Sequence, residues 1–199
     1  VLGRITTEKD YVVKHQGKIV ANCPIDQVTA GILYDRQASP KVFTGSEPQF
    51  DMPDLAEALL KVLSDSNICS RAYMFRAFDS EAQGRAVVRP GEAGAGVMTP
   101  LDGCNAAVAL SVDGNPFYGD ISPYWGGANA VAEAMRNVAS VGAVPQALTD
   151  CLNFGNPENP EAFWEFDEAV RGLSDAANQI WLKGYENQPV PIVSGNVSL

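Results

Sequence analysis

The stretch that decides the fold is PQALTDCLNFGNPENPEAFWEFDEAVRGLSDAANQIWLKGYENQPVPIVSGNVSL, residues 145–199. An apolar run predicts a strand over 145–154, and a second run predicts another over 190–195. The segment between them predicts an amphipathic helix, with one apolar side formed by Phe163, Phe166, Val170 and Leu173. Strand, helix and strand in this order indicate a sheet with a helix packed on it.

The same alternation extends upstream. RAVVRP (85–90) and CNAAVALSVDGN (104–115) predict strands, the second ending at Asp113-Gly114-Asn115. PYWGGANAVAEAMRNVASVGA predicts a helix from about Pro123 to Val141, closed by Gly142. The glycine-rich 91–103 predicts a loop, although it lacks the spacing and the lysine of a phosphate-binding loop. The whole pattern predicts an α+β fold with α/β-like alternation.

The first 83 residues differ in character. Residues 1–48 are β-rich, with a hairpin turn predicted at Gln16-Gly17. Residues 49–83 predict a helical linker, in which Asp51 or Asp54 caps a first helix and 68–79 form a second.

Composition limits the classes of function. The formal net charge of −10 disfavours nucleic acid and anionic membrane as partners, and no apolar run of about 20 residues is present. A phosphate site would need backbone N–H groups, a helix N-terminus or a bound cation. The four cysteines lack metal-ligand spacing, which favours reduced cysteines in or near a core.

Three polar clusters follow predicted strands: SVDGNP (111–116), TDCLNFGNP (149–157) and SGNVS (194–198). Each combines side-chain oxygens with glycine, which lets backbone amides approach a phosphate, and such oxygens suit Mg²⁺. Any one of them is also an ordinary turn sequence. Three at strand ends favour a ligand site, since ligands bind there in α/β sheets.

Nucleophilic catalysis finds no support. The single histidine, His15, falls in the predicted hairpin, so no Ser/His/Asp or Cys/His arrangement can form. Cys151 follows Asp150, whose charge would disfavour a thiolate.

The strings TDCLNFGNPE, FW.F..AVRGL.DA and P.VSGNVSL closely resemble the synthetase-subunit family of phosphoribosylformylglycinamidine synthase, the PurL-type enzymes of purine biosynthesis. Residues 84–199 carry the match, and LGRIT with YVVKHQGKIVANCPI resembles the region before it in that family. The resemblance implies an internal fragment at the junction of two homologous halves. Residues 1–48 would be the β-rich tail of a preceding PurM-like C-domain, 49–83 a helical linker, and 84–199 a second PurM-like (aminoimidazole-ribonucleotide-synthetase-like) N-domain, truncated at its end.

The resemblance also implies a reaction. Family members use ATP and ammonia from glutamine to convert formylglycinamide ribonucleotide to formylglycinamidine ribonucleotide, ADP and phosphate. Carried over by motif, Asp150 and Gly195 would contact ATP, Asn196 would bind Mg²⁺ and Ser198 would contact the ribonucleotide. The family's catalytic histidine has no counterpart in this chain, so no catalytic residue is assigned and the chain alone is expected to be inactive.

Further expectations follow from the same resemblance. They are a glutaminase subunit or domain as ammonia source, self-association through the PurM-like sheet, and a cytoplasmic location. Phe117 stands where the family commonly has Arg, and the glycine-rich 91–100 replaces a GGDAAVLR-like string. The relatives with the same N-domain, aminoimidazole ribonucleotide synthetase and selenophosphate-synthetase-like enzymes, are disfavoured by LNFGNPE and GNVSL. A non-catalytic nucleotide-binding or dimer-interface module stays open as the alternative.

Overall fold

The computed structural model describes residues 3–31, 33–47, 49, 51–78 and 80–199. The chain divides into two compact units, Val1–Gln37 and Ala38–Leu199. Both contain helix and strand, which confirms the α+β class. The assignment of 1–48, 49–83 and 84–199 to parts of a longer protein stays a prediction.

A β-hairpin forms most of the first unit. β1 (Asp10–His15) pairs antiparallel with β2 (Lys18–Pro24). The turn between them has positive φ at Gln16 (48°) and Gly17 (78°), the combination that matches the twist of hairpin strands. α1 (Ile25–Ala30) follows directly. The hairpin predicted at Gln16-Gly17 is confirmed.

The second unit begins with short helical segments. α2 (Leu55–Leu63) starts at Asp54, whose carboxylate accepts a hydrogen bond from the Glu57 N–H at 3.0 Å, as expected of a helix cap. A 3₁₀ turn (Ser66–Ile68), α3 (Ala72–Phe75) and a second 3₁₀ turn (Ala82–Gly84) follow.

The second linker helix, predicted over 68–79, is wrong in length. Over its described residues only the four residues of α3 form an α-helix, and Asp79 lies outside the described residues. Phe75 is half-buried, but Tyr73 and Phe78 are exposed at 69% and 75%. A short helix without a packed face has little to stabilise it.

An antiparallel sheet follows, in the order β3 (Ala86–Val88), β4 (Gly96–Met98), β5 (Val108–Leu110). The prediction of loop throughout 91–103 is wrong at its centre, because β4 pairs with a strand on each side. Pairing on both edges overrides the weak strand preference of glycine. β5 ends at Leu110, before the predicted end at Asp113.

Three helices follow β5, each with proline at its start and a capping side chain just before it. They are α4 (Pro116–Ile121) capped by Asn115, α5 (Pro123–Ser140) capped by Ser122, and α6 (Pro160–Gln179) capped by Asn159. Proline fits the first helical turn, where its missing N–H would have no partner. The predicted α5 is confirmed to within a residue, whereas the sequence analysis assigned no helix to α4.

α5 and α6 cross at glycines. A Cβ on Gly172 would overlap the backbone carbonyl of Tyr124, and one on Gly127 would overlap the backbone carbonyl of Ala169. This close approach brings together the buried core of Val131, Met135, Ala176 and Val190. Leu148 packs against that core from the neighbouring strand, which fixes the sheet beneath the two helices.

The chain ends in a parallel strand pair, β6 (Leu148–Asn153) and β7 (Ile192–Ser198), with α6 as the crossover between them. The prediction that the last strand stops near 195 is wrong. β6 offers β7 backbone partners along its whole length, and the Phe154 N–H then donates to the Ser198 carbonyl at 3.0 Å. The polar segment SGNVS is therefore strand.

Candidate functional site

The register of the parallel pair brings the four predicted site residues onto adjacent strands. Asp150 lies directly beside Gly195, Cys151 beside Asn196, and Asn153 beside Ser198. Both strands run the same way, so their carboxyl ends meet at one edge, where α/β sheets bind ligands. The pairing supplies the proximity that the separate motifs lack in the sequence.

The four residues divide between the two faces of the pair. Along β6, Leu148, Asp150 and Leu152 are half-buried and alternate with exposed residues, so Asp150 lies on the face that carries Leu148 onto the core. Gly195 shares that face because it is the register partner of Asp150. Asn196 and Ser198 alternate with Gly195 and lie on the opposite face, which the exposed residues of β6 share; all residues of β7 itself are exposed.

Asp150 and Gly195 are in direct contact. A Cβ built on Gly195 would overlap the Asp150 carboxylate, so only glycine leaves room for that side chain in its present position. Among the described residues, the Asp150 carboxylate has no hydrogen-bond or ion-pair partner. A half-buried carboxylate without a partner can take a cation or an N–H or O–H donor of a ligand.

The first polar cluster, at Asp113, serves partly as structure. Asn115 accepts the Phe117 N–H at 3.0 Å and caps α4. The Asp113 Oδ1 accepts the Asn137 side-chain amide at 2.6 Å, and its Oδ2 is buried without a partner within the described part of the chain. The ordinary turn interpretation therefore holds for Asn115.

The second cluster is divided in the same way. Asn156 accepts the Glu158 N–H at 2.9 Å, and Asn159 accepts the Glu161 N–H at 2.9 Å, so both stabilise the start of α6. Asn153 instead lies on the exposed face of β6, where its Nδ2 donates to the Cys151 carbonyl at 3.1 Å. The polar side chains of this cluster that the local turn does not use are thus those of Thr149, Asp150 and Asn153.

Metal-binding groups are sparse. The described residues contain no group of three or more His, Cys, Asp or Glu side chains placed to hold an ion. Among them, too, no helix has the length and apolar composition needed to cross a bilayer. Asn196 offers one amide oxygen on one face of the pair and Asp150 one carboxylate on the other, so each could supply a single oxygen to Mg²⁺, which usually binds one or two protein oxygens together with phosphate.

The segment around Ser39 and Lys41 contacts the start of α6, which the sequence does not predict. The Ser39 N–H donates to the Pro160 carbonyl at 3.0 Å, and Lys41 Nζ lies 2.5 Å from Glu165 Oε1. A cavity of about 120 Å³ adjoins this contact and is lined in part by Asp120 and Trp164. No local sequence signal could have paired Lys41 with a residue 124 positions away.

The resolved pKa shifts lie away from the strand pair. The Glu165 carboxylate raises the pKa of Lys41, first through their hydrogen bond and then through its charge. The Tyr124 hydroxyl donates to Asp175 at 2.9 Å, and this bond, with partial desolvation, raises the pKa of the phenol. Backbone N–H donors lower the pKa of Glu186.

Comparison with known proteins identifies relatives of the whole chain. Residues 86–199 match the family described as AIR synthase related protein, N-terminal domain. The chain is 59% identical over all 199 residues to the phosphoribosylformylglycinamidine synthase subunit PurL of Methanothrix thermoacetophila, and 42% identical over 202 aligned residues to that of Methanocaldococcus jannaschii. In each case it spans 26% of the relative's length.

Solved structures from Thermotoga maritima have the same fold. The match to PurLQS has a TM-score of 0.64 at 26% identity and covers 96% of this chain and 28% of that one. PurL complexed with ATP gives 0.58 at 25% identity, and PurL complexed with FGAR gives 0.61 at 26%. These cover 96% of this chain and 28% and 27% of theirs.

Proposed function

The chain belongs to the AIR synthase related family, and we propose that it forms part of the ATP-dependent ligase that makes formylglycinamidine ribonucleotide in purine biosynthesis. The observation that carries the proposal is the pairing of Asp150 with Gly195 within a parallel strand pair, with Asn196 and Ser198 following towards the carboxyl end. Identity to PurL subunits over the entire chain supports it. A cytoplasmic location is part of the proposal.

The proposed roles follow from the chemistry of each residue. Gly195 lets the backbone approach ATP closely, and the unpartnered Asp150 carboxylate accepts a donor or faces a bound cation. Asn196 supplies an amide oxygen to Mg²⁺, which when bound neutralises phosphoryl charge. Ser198 offers a hydroxyl to the ribonucleotide. One face of the strand pair would then contact ATP, and the other would contact Mg²⁺ and the ribonucleotide.

We propose that this chain by itself does not catalyse the ligase reaction. Its histidine, His15, lies in the hairpin of the first unit, and the described residues hold no Ser/His/Asp or Cys/His arrangement that could form a nucleophile. Residues outside this chain would supply the general acid-base chemistry, and a glutaminase subunit or domain would supply ammonia. The division into 1–48, 49–83 and 84–199 belongs to the same proposal.

The test is substitution in the protein expressed from its complete gene. Asp150→Ala and Asn196→Ala are each expected to lower kcat/KM by at least about tenfold, since a hydrogen bond to a charged group contributes roughly 1.5–3 kcal/mol. Ser140→Ala, an exposed residue at the end of α5, is the matched control. If both site variants keep wild-type turnover and only lower the melting temperature, the catalytic proposal fails.

The alternative of a dimer-interface module has one observation in its favour. Apolar side chains of β5 and β7 are exposed, including Val108 (44%), Leu110 (64%), Val193 (63%) and Val197 (53%). We therefore propose self-association through these strands, because exposed apolar strand surface favours pairing. Sedimentation at increasing concentration tests this, and a monomer throughout would contradict it.

A further inference from the structure

We propose that Asn153 is a further substrate-contacting residue, which accepts a hydrogen bond from a neutral N–H or O–H group of the ribonucleotide. The inference rests on the proposed function and extends it to a residue to which the family resemblance gives no role. It starts from the exposed face of the β6–β7 pair.

Apart from Cys151, that face is polar. It carries Thr149, Cys151 and Asn153 from β6, beside their register partners Ser194, Asn196 and Ser198 from β7. All six residues are exposed. Parallel strands are normally covered on both faces and are apolar on both. A parallel pair with one largely polar face is therefore suited to a polar ligand.

Asn153 occupies the end of this face at which ligands bind. It is the last residue of β6 and the register partner of Ser198, the last residue of β7. Thr149 lies four residues earlier on the same face, roughly 13 Å away at the usual rise of a strand. On this face, ligand contact at the carboxyl edge would therefore reach Asn153 and leave Thr149 untouched, whereas the ATP contacts proposed at Asp150 and Gly195 lie on the opposite face.

The orientation of the Asn153 carboxamide is set within its own strand. Its Nδ2 donates to the Cys151 carbonyl at 3.1 Å, and its Oδ1 has no partner among the described residues. A side chain already held in place loses less entropy when it binds a ligand. The free Oδ1 accepts hydrogen bonds, so its ligand partner must be a donor.

The charge of the face indicates which part of the ribonucleotide it binds. Asn153 and Ser198 at its carboxyl end are uncharged, whereas a phosphate needs a cation, backbone N–H groups or a helix N-terminus, and the cation of the proposed function, Mg²⁺, is assigned to Asn196. Hydroxyl and carboxamide groups complement ribose hydroxyls and amide N–H groups instead. The end of the face formed by Asn153 and Ser198 is thus matched to the neutral part of formylglycinamide ribonucleotide.

The experiment uses the protein expressed from its complete gene, with Asn153→Ala as the test and Thr149→Ala as the control on the same face. The KM for formylglycinamide ribonucleotide should rise about threefold to tenfold in Asn153→Ala, the range for one neutral hydrogen bond. The KM for ATP should stay within about twofold. Thr149→Ala should leave both constants within about twofold, and the two variants should melt alike.

Two results would overturn the inference while the proposed function stands: an unchanged ribonucleotide KM in Asn153→Ala, or equal rises in both KM values with a lowered melting temperature. The second would mean that Asn153 only supports the strand. If the wild-type protein fails to turn over formylglycinamide ribonucleotide, the proposed function itself fails and the inference falls with it.

Discussion

Gly172→Ala is expected to destabilise the second unit, because the added methyl would meet backbone at the crossing of α5 and α6. Gly172 is buried within α6, and its Cβ would overlap the carbonyl oxygen of Tyr124, with the carbonyl carbon at 2.8 Å and Cα at 3.1 Å. A backbone carbonyl inside a helix cannot rotate away. The overlap is relieved only if the two helices separate.

Two opposing effects set how much the free energy of unfolding of Gly172→Ala falls. Overpacking of a close contact costs about 1–3 kcal/mol, and the upper end applies here because three backbone atoms of Tyr124 are crowded at once. Alanine in a helix interior is favoured over glycine by about 1 kcal/mol. The net loss is about 2 kcal/mol, which for a chain of this size lowers the Tm by about 4–8 °C.

Thermal melts followed by circular dichroism, together with urea titrations, measure this loss. Gly119→Ala is the matched control, since Gly119 is also helical and a Cβ there meets nothing within 4 Å. That variant should be as stable as the wild type, or more stable by up to about 1 kcal/mol. If Gly172→Ala and Gly119→Ala have the same melting temperature, α5 and α6 do not make a tight contact at Gly172.

Three further outcomes are expected. Gly195→Ala should raise the KM for ATP of the full-length protein about tenfold. It should barely change the Tm, because the added methyl displaces the Asp150 carboxylate, which can move. An unchanged KM for ATP would contradict this. The hydrogen bond to Asp175 raises the pKa of Tyr124. The free energy of unfolding of the wild type should therefore exceed that of Tyr124→Phe by a constant amount from neutral pH to about pH 10. This difference should be lost as the pH rises through the raised pKa. Urea titrations at several alkaline pH values test this, and a pH-independent difference would count against it. Lys41→Ala should speed amide hydrogen exchange near position 41, because the ion pair with Glu165 is lost; exchange equal to wild type would show that this pair does not hold the segment.

Much of the second unit was predictable because its signals are local. Proline at the first helical position with Asn or Ser before it marks the starts of α5 and α6. The apolar spacing of α6 and the runs of β6 and β7 identify these elements without any long-range information. The helix over 68–79 failed on the same kind of signal, since most of its large apolar residues, among them Tyr73, Met74 and Phe78, stay exposed.

Strand pairing explains the other differences. β4 exists because it pairs with β3 and β5, although its glycine-rich sequence disfavours a strand. SGNVS is strand because β6 lies beside it, although its composition is that of a loop. A partner strand supplies hydrogen bonds that composition cannot reveal.

The sequence by itself determined the fold class, the family resemblance and the identity of the candidate residues, because motifs and periodicity are properties of neighbouring positions. Only the tertiary structure decided how those residues are arranged. The parallel register sets Asp150 against Gly195 on one face and Asn196, Ser198 and Asn153 on the other. Since a shift of one residue would move every side chain to the opposite face, the division depends on a pairing between strands that are distant in the chain.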